Sequence, residues 1–155
     1  AYLSGVRLHL AGAFYNRKLE MKVKRMAEWK NVKFYGLVQR EEAADILSRS
    51  KAGLVTLHPT INYKDALAVK MFEYMIAGIP VVASNFPLWK EIIEGNECGI
   101  CVDPKEPTNI AKAVDYILNH PQEAERMGEN GHDAVKKKYN WSLEAKKLEK
   151  IYNTL

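Results

Sequence analysis

Two carboxylates eight positions apart, Asp65 and Glu73, offer the first chemistry in this chain of 155 residues. Between them runs Ala66-Leu67-Ala68, small and apolar, leading into a segment whose pattern predicts a helix over 68–77, stopped by Gly78 with Pro80 just beyond. The free N–H groups of a helix start form a site for a phosphate or diphosphate. An acid, an anion-binding helix start and a second acid, in that order, suit a ligand with hydroxyls at both ends and phosphates between them. That is the chemistry of a sugar nucleotide. Each acid also has a plainer reading. Asp65 lies inside a long loop, Thr60–Leu67, and suits a turn or a cap. Glu73 sits between Phe72 and Tyr74 in a helix that is apolar almost all round and should be buried on most sides. A buried carboxylate left unpaired costs on the order of several kcal/mol. Its partner is then a ligand hydroxyl, Lys70 one turn earlier, or a distant arginine.

Other groups carry less. His58 ends a predicted strand and reads either as a donor contact or as a structural histidine. Cys98 and Cys101 form a C-x-x-C, but they lie at and within a strand, where positions i and i+3 face opposite sides. One such pair lacks the four ligands of a structural zinc site, so two buried cysteines are expected and no metal site is. No Gly-x-Gly-x-x-Gly follows any strand, which argues against a dinucleotide oxidoreductase.

The elements that must position these residues alternate along the chain. Strands are expected at Val6–Leu10, Val32–Tyr35, Leu54–Leu57, Pro80–Ala83 and Gly99–Val102. Helices are expected over 15–30, with Leu19, Val23 and Met26 on one stripe, and at Arg40–Ser50, 68–77 and Leu88–Glu94. The last third is helical: Ile110, Ala113, Val114, Ile117 and Leu118 follow the i, i+3, i+4 rule, and Pro121 restarts the chain at the first position of the next helix. Trp141, Ala145, Leu148, Tyr152 and Leu155 then form a narrow apolar seam that should dock on something. Runs such as Leu54–Leu57 are continuously apolar, as in parallel strands covered on both faces. The fold class is therefore α/β, a doubly wound parallel sheet of about five strands with helices on both faces and a helical C-terminal end. Ligands of such sheets sit beyond the carboxyl ends of the strands, at Gly12–Phe14, Gly36–Val38, His58–Leu67, Ser84–Phe86 and Asp103-Pro104.

Composition sets the outer bounds. Apolar residues make up 47% and charged residues 27%, a folded balance for one domain spanning 1–155. No apolar run approaches a membrane span. The two cysteines exclude a disulfide scaffold and fit a reducing compartment, so a cytoplasmic location is expected. The net charge of +4 is local: residues 15–30 hold six basic side chains against Glu20 and Glu28, and residues 131–150 hold six lysines against Asp133, Glu144 and Glu149. No aromatic–basic interleaving accompanies them, so nucleic acid is not expected as a partner. Solvated helix faces are the main reading, and a weak peripheral contact with an anionic membrane the next.

The stretch Asp65-Ala-Leu-Ala-Val-Lys-Met-Phe-Glu73-Tyr-Met-Ile-Ala-Gly78-Ile-Pro80-Val-Val-Ala-Ser84 resembles the signature of the group 1 (retaining family 4) glycosyltransferases of GT-B fold: Glu-x7-Glu, a helix end, then Gly-x-Pro-Val-Val-Ala. Val32-Lys-Phe-Tyr-Gly36-Leu-Val, Ala52-Gly-Leu-Val-Thr-Leu-His-Pro59 and Gly99-Ile-Cys-Val-Asp103-Pro104 resemble the family's other strand-and-loop segments, so the likeness covers nearly the whole chain. It implies a Rossmann-like domain that binds a nucleoside-diphosphate sugar. Glu73 matches the acid that binds the ribose hydroxyls, and Asp65 the acid near the reacting sugar carbon. Backbone N–H groups near Ala66, Leu67 and Ala68 match the sugar-phosphate cradle, and backbone atoms of Leu37 and Val38 the nucleobase contact. The resemblance implies no essential metal or other cofactor. Two residues depart from the pattern. Asp65 replaces the usual Glu and is one methylene shorter, about 1.5 Å, and Ala68 stands where proline is frequent. The family's diphosphate-binding Arg and Lys lie on a first strand and helix expected ahead of Ala1, as does an acceptor-binding domain. The chain is then the donor-binding half of an enzyme, unable to transfer alone, whose acceptor is a glycan or lipid. Val6–Leu10 and Leu54–Leu57 would flank the place of that first strand, closing directly or around a strand supplied from outside residues 1–155. A sugar-nucleotide epimerase of similar fold and a non-catalytic sugar-nucleotide-binding domain are the alternatives; the Gly78-x-Pro80 neighbourhood favours the transferase over the first, and retention of both acids argues against the second.

Overall fold

The computed structural model describes residues 5–154, which divide into two compact units meeting in sequence at Ser50–Lys51. In the first unit, strand β1 (Leu8–Ala11) is followed by helix α1 (Arg17–Lys24), a 3-10 turn at Ala27–Asn31, strand β2 (Val32–Gly36) and helix α2 (Arg40–Ser48). Strands β1 and β2 are parallel, with Leu8 beside Val32 and Leu10 beside Phe34. The helix expected over 15–30 is interrupted. Asn16 caps α1 through its side chain, but Met26 is extended (φ −68°, ψ 141°) and the chain re-enters as the 3-10 turn. Aromatic packing accounts for the break: it brings Trp29 to Phe14 and Phe34, with centroids 6.4 and 6.0 Å away. This contact outweighs the helical preference of a short exposed stretch.

The second unit carries strand β3 (Gly53–Val55), helices α3 (Ile61–Lys64) and α4 (Val69–Ile76), strand β4 (Val81–Ser84), helix α5 (Pro87–Ile93) and strand β5 (Gly99–Val102). Helices α6 (Pro107–Asn119), α7 (Pro121–Lys137) and α8 (Trp141–Tyr152) complete it. Its three strands run parallel in the order β3-β4-β5, with Leu54 beside Val82 and Val82 beside Ile100. All four residues of β4 are buried, which is why this strand reads as continuously apolar. Val81 and Ala83 join Met71, Met75, Trp89, Ile93, Ala134 and Val135 in one core. Alternation turns Val82 to the opposite face, where α6 packs on β4 and β5 and buries Ala113, Val114 and Ile117. The five expected strands are thus present, as a two-stranded and a three-stranded parallel ladder with helices on both faces of the latter.

Glycines fix how closely α7 lies on α4. A Cβ at Gly128 would fall 2.1 Å from the Gly78 carbonyl oxygen, and one at Gly131 would fall 3.4 Å from Met75 Cα. Gly78 itself ends α4 with φ 69°, a left-handed conformation that a side chain disfavours. Helix α8 forms as expected, with the Asn140 side chain accepting from Leu143 N–H at 3.1 Å. Its seam does not dock: Trp141 and Tyr152 are 75% and 70% exposed. Leu155, the seam's last expected member, lies outside the described residues.

Candidate functional site

Strands β3, β4 and β5 point their carboxyl ends the same way, so the loops that follow them gather at one edge of the second unit. A cleft of about 390 Å³ opens there, lined among others by Pro59 after β3, Lys64 and Asp65, Asn85 after β4, and Asp103 and Lys105 after β5. Its walls carry two carboxylates and two ammonium groups among apolar residues such as Phe86 and Pro87. The Asp103 carboxylate accepts the Lys105 backbone N–H at 2.9 Å, which folds the loop after β5 into a tight turn.

Asp65 is exposed and stands at the end of α3, a single helical turn inside the segment expected to be loop throughout. It therefore lines the cleft and terminates a turn at once. Ala66, Leu67 and Ala68 continue from it to the start of α4. Ala68 is the residue before the helix, with extended backbone and no side-chain cap; Met71 N–H turns back to the Ala68 carbonyl at 3.0 Å, and the Val69 and Lys70 N–H groups are left for solvent or a ligand. Two side chains from elsewhere hold this edge in place. The indole N–H of Trp89 donates to the Ala66 carbonyl at 2.7 Å, and the Ser84 hydroxyl donates to the Leu57 carbonyl at 2.7 Å. Both residues are fully buried, while the loops they grip are exposed.

Glu73 differs from expectation. Helix α4 buries only Met71 and Met75; Val69 is 68% exposed and Ile76 45%. The stripe that meets the core is narrow because the helix lies across β3 and β4 with α7 against it, leaving its outer face in solvent. Glu73 is half-exposed and accepts a 2.7 Å hydrogen bond from Lys70 Nζ, the i, i+3 pairing that its sequence position allowed. Next to it, burial raises the Tyr74 phenol above its usual range, and the Glu73 charge adds to the effect. His58 is exposed just beyond β3, adjacent to the Pro59 of the cleft wall. Leu37 and Val38 belong to the first unit, in the loop after β2, and Leu37 is 81% exposed there.

Of the two cysteines expected to be buried, Cys98 is buried and Cys101 only partly so. Burial pushes the Cys98 thiol up to about 11 and the Cys101 thiol up to about 12, the latter helped by Glu94. The thiolate needed for redox exchange or metal ligation is scarce at such values. No group of three or more His, Cys, Asp or Glu side chains arranged to hold a metal ion occurs among the described residues. Among those residues, no helix is long and apolar enough to cross a membrane.

Lys64, Lys105 and Trp89 were not singled out by residue type. Lys105 sits one position past a loop that the strand-end rule had marked. Lys64 belongs to a turn with no periodic signal, and the Trp89 bond spans 23 positions, which local pattern does not reveal.

Comparison with known proteins adds to this geometry. The family described as "Glycosyl transferases group 1" matches residues 3–134. A D-rhamnosyltransferase, WbpZ of Pseudomonas aeruginosa, is 29% identical over 102 residues, which are 65% of this chain and 26% of that protein. Among solved structures, sucrose-phosphate synthase from Thermosynechococcus elongatus superposes with a TM-score of 0.81 at 25% identity, over 96% of this chain and 38% of that one. Anabaena HepE in complex with UDP superposes with a TM-score of 0.82 at 18% identity, over 97% of this chain and 41% of that one. The chain thus spans about a quarter of the curated relative's length and about two fifths of each structural neighbour's.

Proposed function

The chain belongs to the group 1 glycosyl transferases, and on that premise we propose that it binds a nucleoside-diphosphate sugar and serves the transfer of that sugar to a glycan or lipid acceptor. The observation that carries this reading is the placement of the acidic pair's first member. Asp65 lines a cleft at the carboxyl edge of three parallel strands and leads through Ala66–Ala68 into an uncapped helix start. A diphosphate there would meet the N–H groups around Ala66–Ala68 and the positive end of α4. Glu73, one face further along the same helix, takes the ribose hydroxyls by exchanging Lys70 for them. His58, just beyond β3, stands at the donor's edge. Asp65 acts near the reacting sugar carbon, where its charge complements the positive character that develops as the glycosidic bond to phosphate breaks. The departing diphosphate gains negative charge in the same step, and the aligned N–H groups stabilise it.

The transfer itself is of the retaining type on this reading and calls on no metal. The 155 residues hold the donor without completing transfer, in keeping with the share of the relatives that they span. That HepE is found with UDP supports a nucleotide ligand of this class. Thermal unfolding of the chain in the presence of UDP-, GDP- and ADP-sugars tests the proposal. At a hundredfold excess over the dissociation constant a bound ligand stabilises by about 2.7 kcal/mol, which raises Tm by several degrees for a domain of this size. At least one of the three nucleotide classes is expected to do so. No shift with any of them would overturn the reading.

A further inference from the structure

We infer that Trp89 is the positioning residue for the donor-phosphate loop, acting through its indole N–H on the Ala66 carbonyl. The inference rests on the nucleotide-sugar reading above and adds to it a residue outside the acidic signature. Trp89 lies on α5, is wholly buried and packs against Phe86 with ring centroids 4.8 Å apart. Its one polar atom, Nε1, could satisfy itself on any nearby acceptor. It reaches instead to residue 66, in the segment that joins Asp65 to α4.

Ala68 packs partly buried on the core at the far end of that segment, but ahead of it the chain is open. Asp65, Ala66 and Leu67 are exposed, and Leu67 is 55% so although apolar. Ala68 carries no cap, and its carbonyl is engaged only by Met71 N–H, at 3.0 Å, within the first turn of α4. The indole therefore anchors to the rigid core the peptide unit whose neighbouring N–H groups would face the phosphates. Fixed donors stabilise charge without reorganising when it develops, which is the advantage of an ordered cradle over a mobile one. Phe86 extends the effect: it packs on the Trp89 ring and also lines the cleft beside Asp65. The core thus touches the site at the loop and at the cleft wall.

Two variants of the 155-residue chain test this. Trp89→Phe removes the N–H and part of the ring. Replacing Trp89 by 3-benzothienylalanine keeps the bicyclic shape and removes only the donor, so folding is preserved even where Trp89→Phe unfolds. The readouts are backbone order parameters by NMR and the dissociation constants for UDP and GDP. Both variants are expected to lose order at Leu67 and Ala68 while Val82 and Ala83 stay rigid. Affinity for whichever nucleotide the wild-type chain binds is expected to fall about tenfold, the upper range for one neutral hydrogen bond. A tryptophan with a purely structural role would lower Tm and leave the loop order and the affinity in place; that result overturns the proposal alone. Loss of order with unchanged affinity also overturns it. Failure of the wild-type chain to bind UDP or GDP overturns the nucleotide reading and this proposal together.

Discussion

Glu73 and Lys70 hold each other at 2.7 Å with side chains 43% and 67% exposed. A pair so open to water contributes at most about 1 kcal/mol to stability. It is therefore cheap to break, and a ligand hydroxyl can replace the ammonium at little cost. This separates two measurements that a buried carboxylate would have tied together. Glu73→Ala is expected to leave unfolding free energy within about 1 kcal/mol of wild type, while weakening nucleotide-sugar binding by about 1.5–3 kcal/mol, the scale of hydrogen bonds to a charged group. Equal losses in both would mark Glu73 as structural. Asp65 differs because it lines the cleft rather than the helix face. Asp65→Asn keeps shape and hydrogen bonding but loses charge, so on the proposed transfer reaction turnover is expected to fall more than donor affinity. Steady-state kinetics showing wild-type kcat would end the assignment of Asp65 to the reacting carbon. The spacing of these acids was legible in the sequence because they belong to one continuous segment. Their burial was not, since the apolar residues of α4 outnumber those that its neighbours cover.

At the scale of elements, the packing of α7 on α4 depends on what Gly128 lacks. A methyl group there would meet the Gly78 carbonyl at 2.1 Å, and backbone cannot swing aside as a side-chain tip can. Gly128→Ala is expected to destabilise by about 1–3 kcal/mol through overpacking, despite the roughly 1 kcal/mol that alanine gains over glycine in a helix. At Gly131 the nearest atom would be Cys98 Cβ at 3.2 Å, a contact that small shifts relieve. Gly131→Ala is expected to stay within about 1 kcal/mol of wild type, because overpacking and propensity oppose each other there. Urea unfolding of the two variants distinguishes the sites, and equal effects would refute the close-approach account. The same elements show what pattern can and cannot convey. Strand β4 was legible because burial on both faces leaves a continuous apolar run, and the end of α4 because Gly78 and Pro80 punctuate it. The α3 turn at Ile61–Lys64 was not: four residues are too few for a helical period, and all four are exposed. The break at Met26 was hidden for a different reason, since the aromatic contacts of Trp29 with Phe14 and Phe34 do not follow a helical period.

Across the whole molecule the core is unevenly shared. Among the described residues, the buried apolar side chains lie almost all in the second unit; before Ser50 only Ile46 is buried, at 7% exposure. The first unit holds together instead through partly buried rings, Phe14, Trp29 and Phe34, and through the hydrogen bond of 2.7 Å between His9 and Tyr35. Its strands form a two-stranded ladder, an arrangement of marginal stability in water without further cover. The second unit has a three-stranded ladder whose middle strand is wholly buried. Because hydrophobic burial dominates the favourable side of folding, the two units should open at different free energies, the first by a sub-global fluctuation and the second only with global unfolding. Native-state hydrogen exchange at increasing urea reads this directly. The amides of β1 and β2 are expected to exchange through a low-energy opening with a small urea dependence, those of β4 and β5 through an opening that matches global unfolding in both size and slope. Helix α8, with no buried residue, should exchange fastest among the long helices. If β1 and β4 amides converge on one free energy at all urea concentrations, the units unfold as one, and the uneven core does not govern how this protein opens.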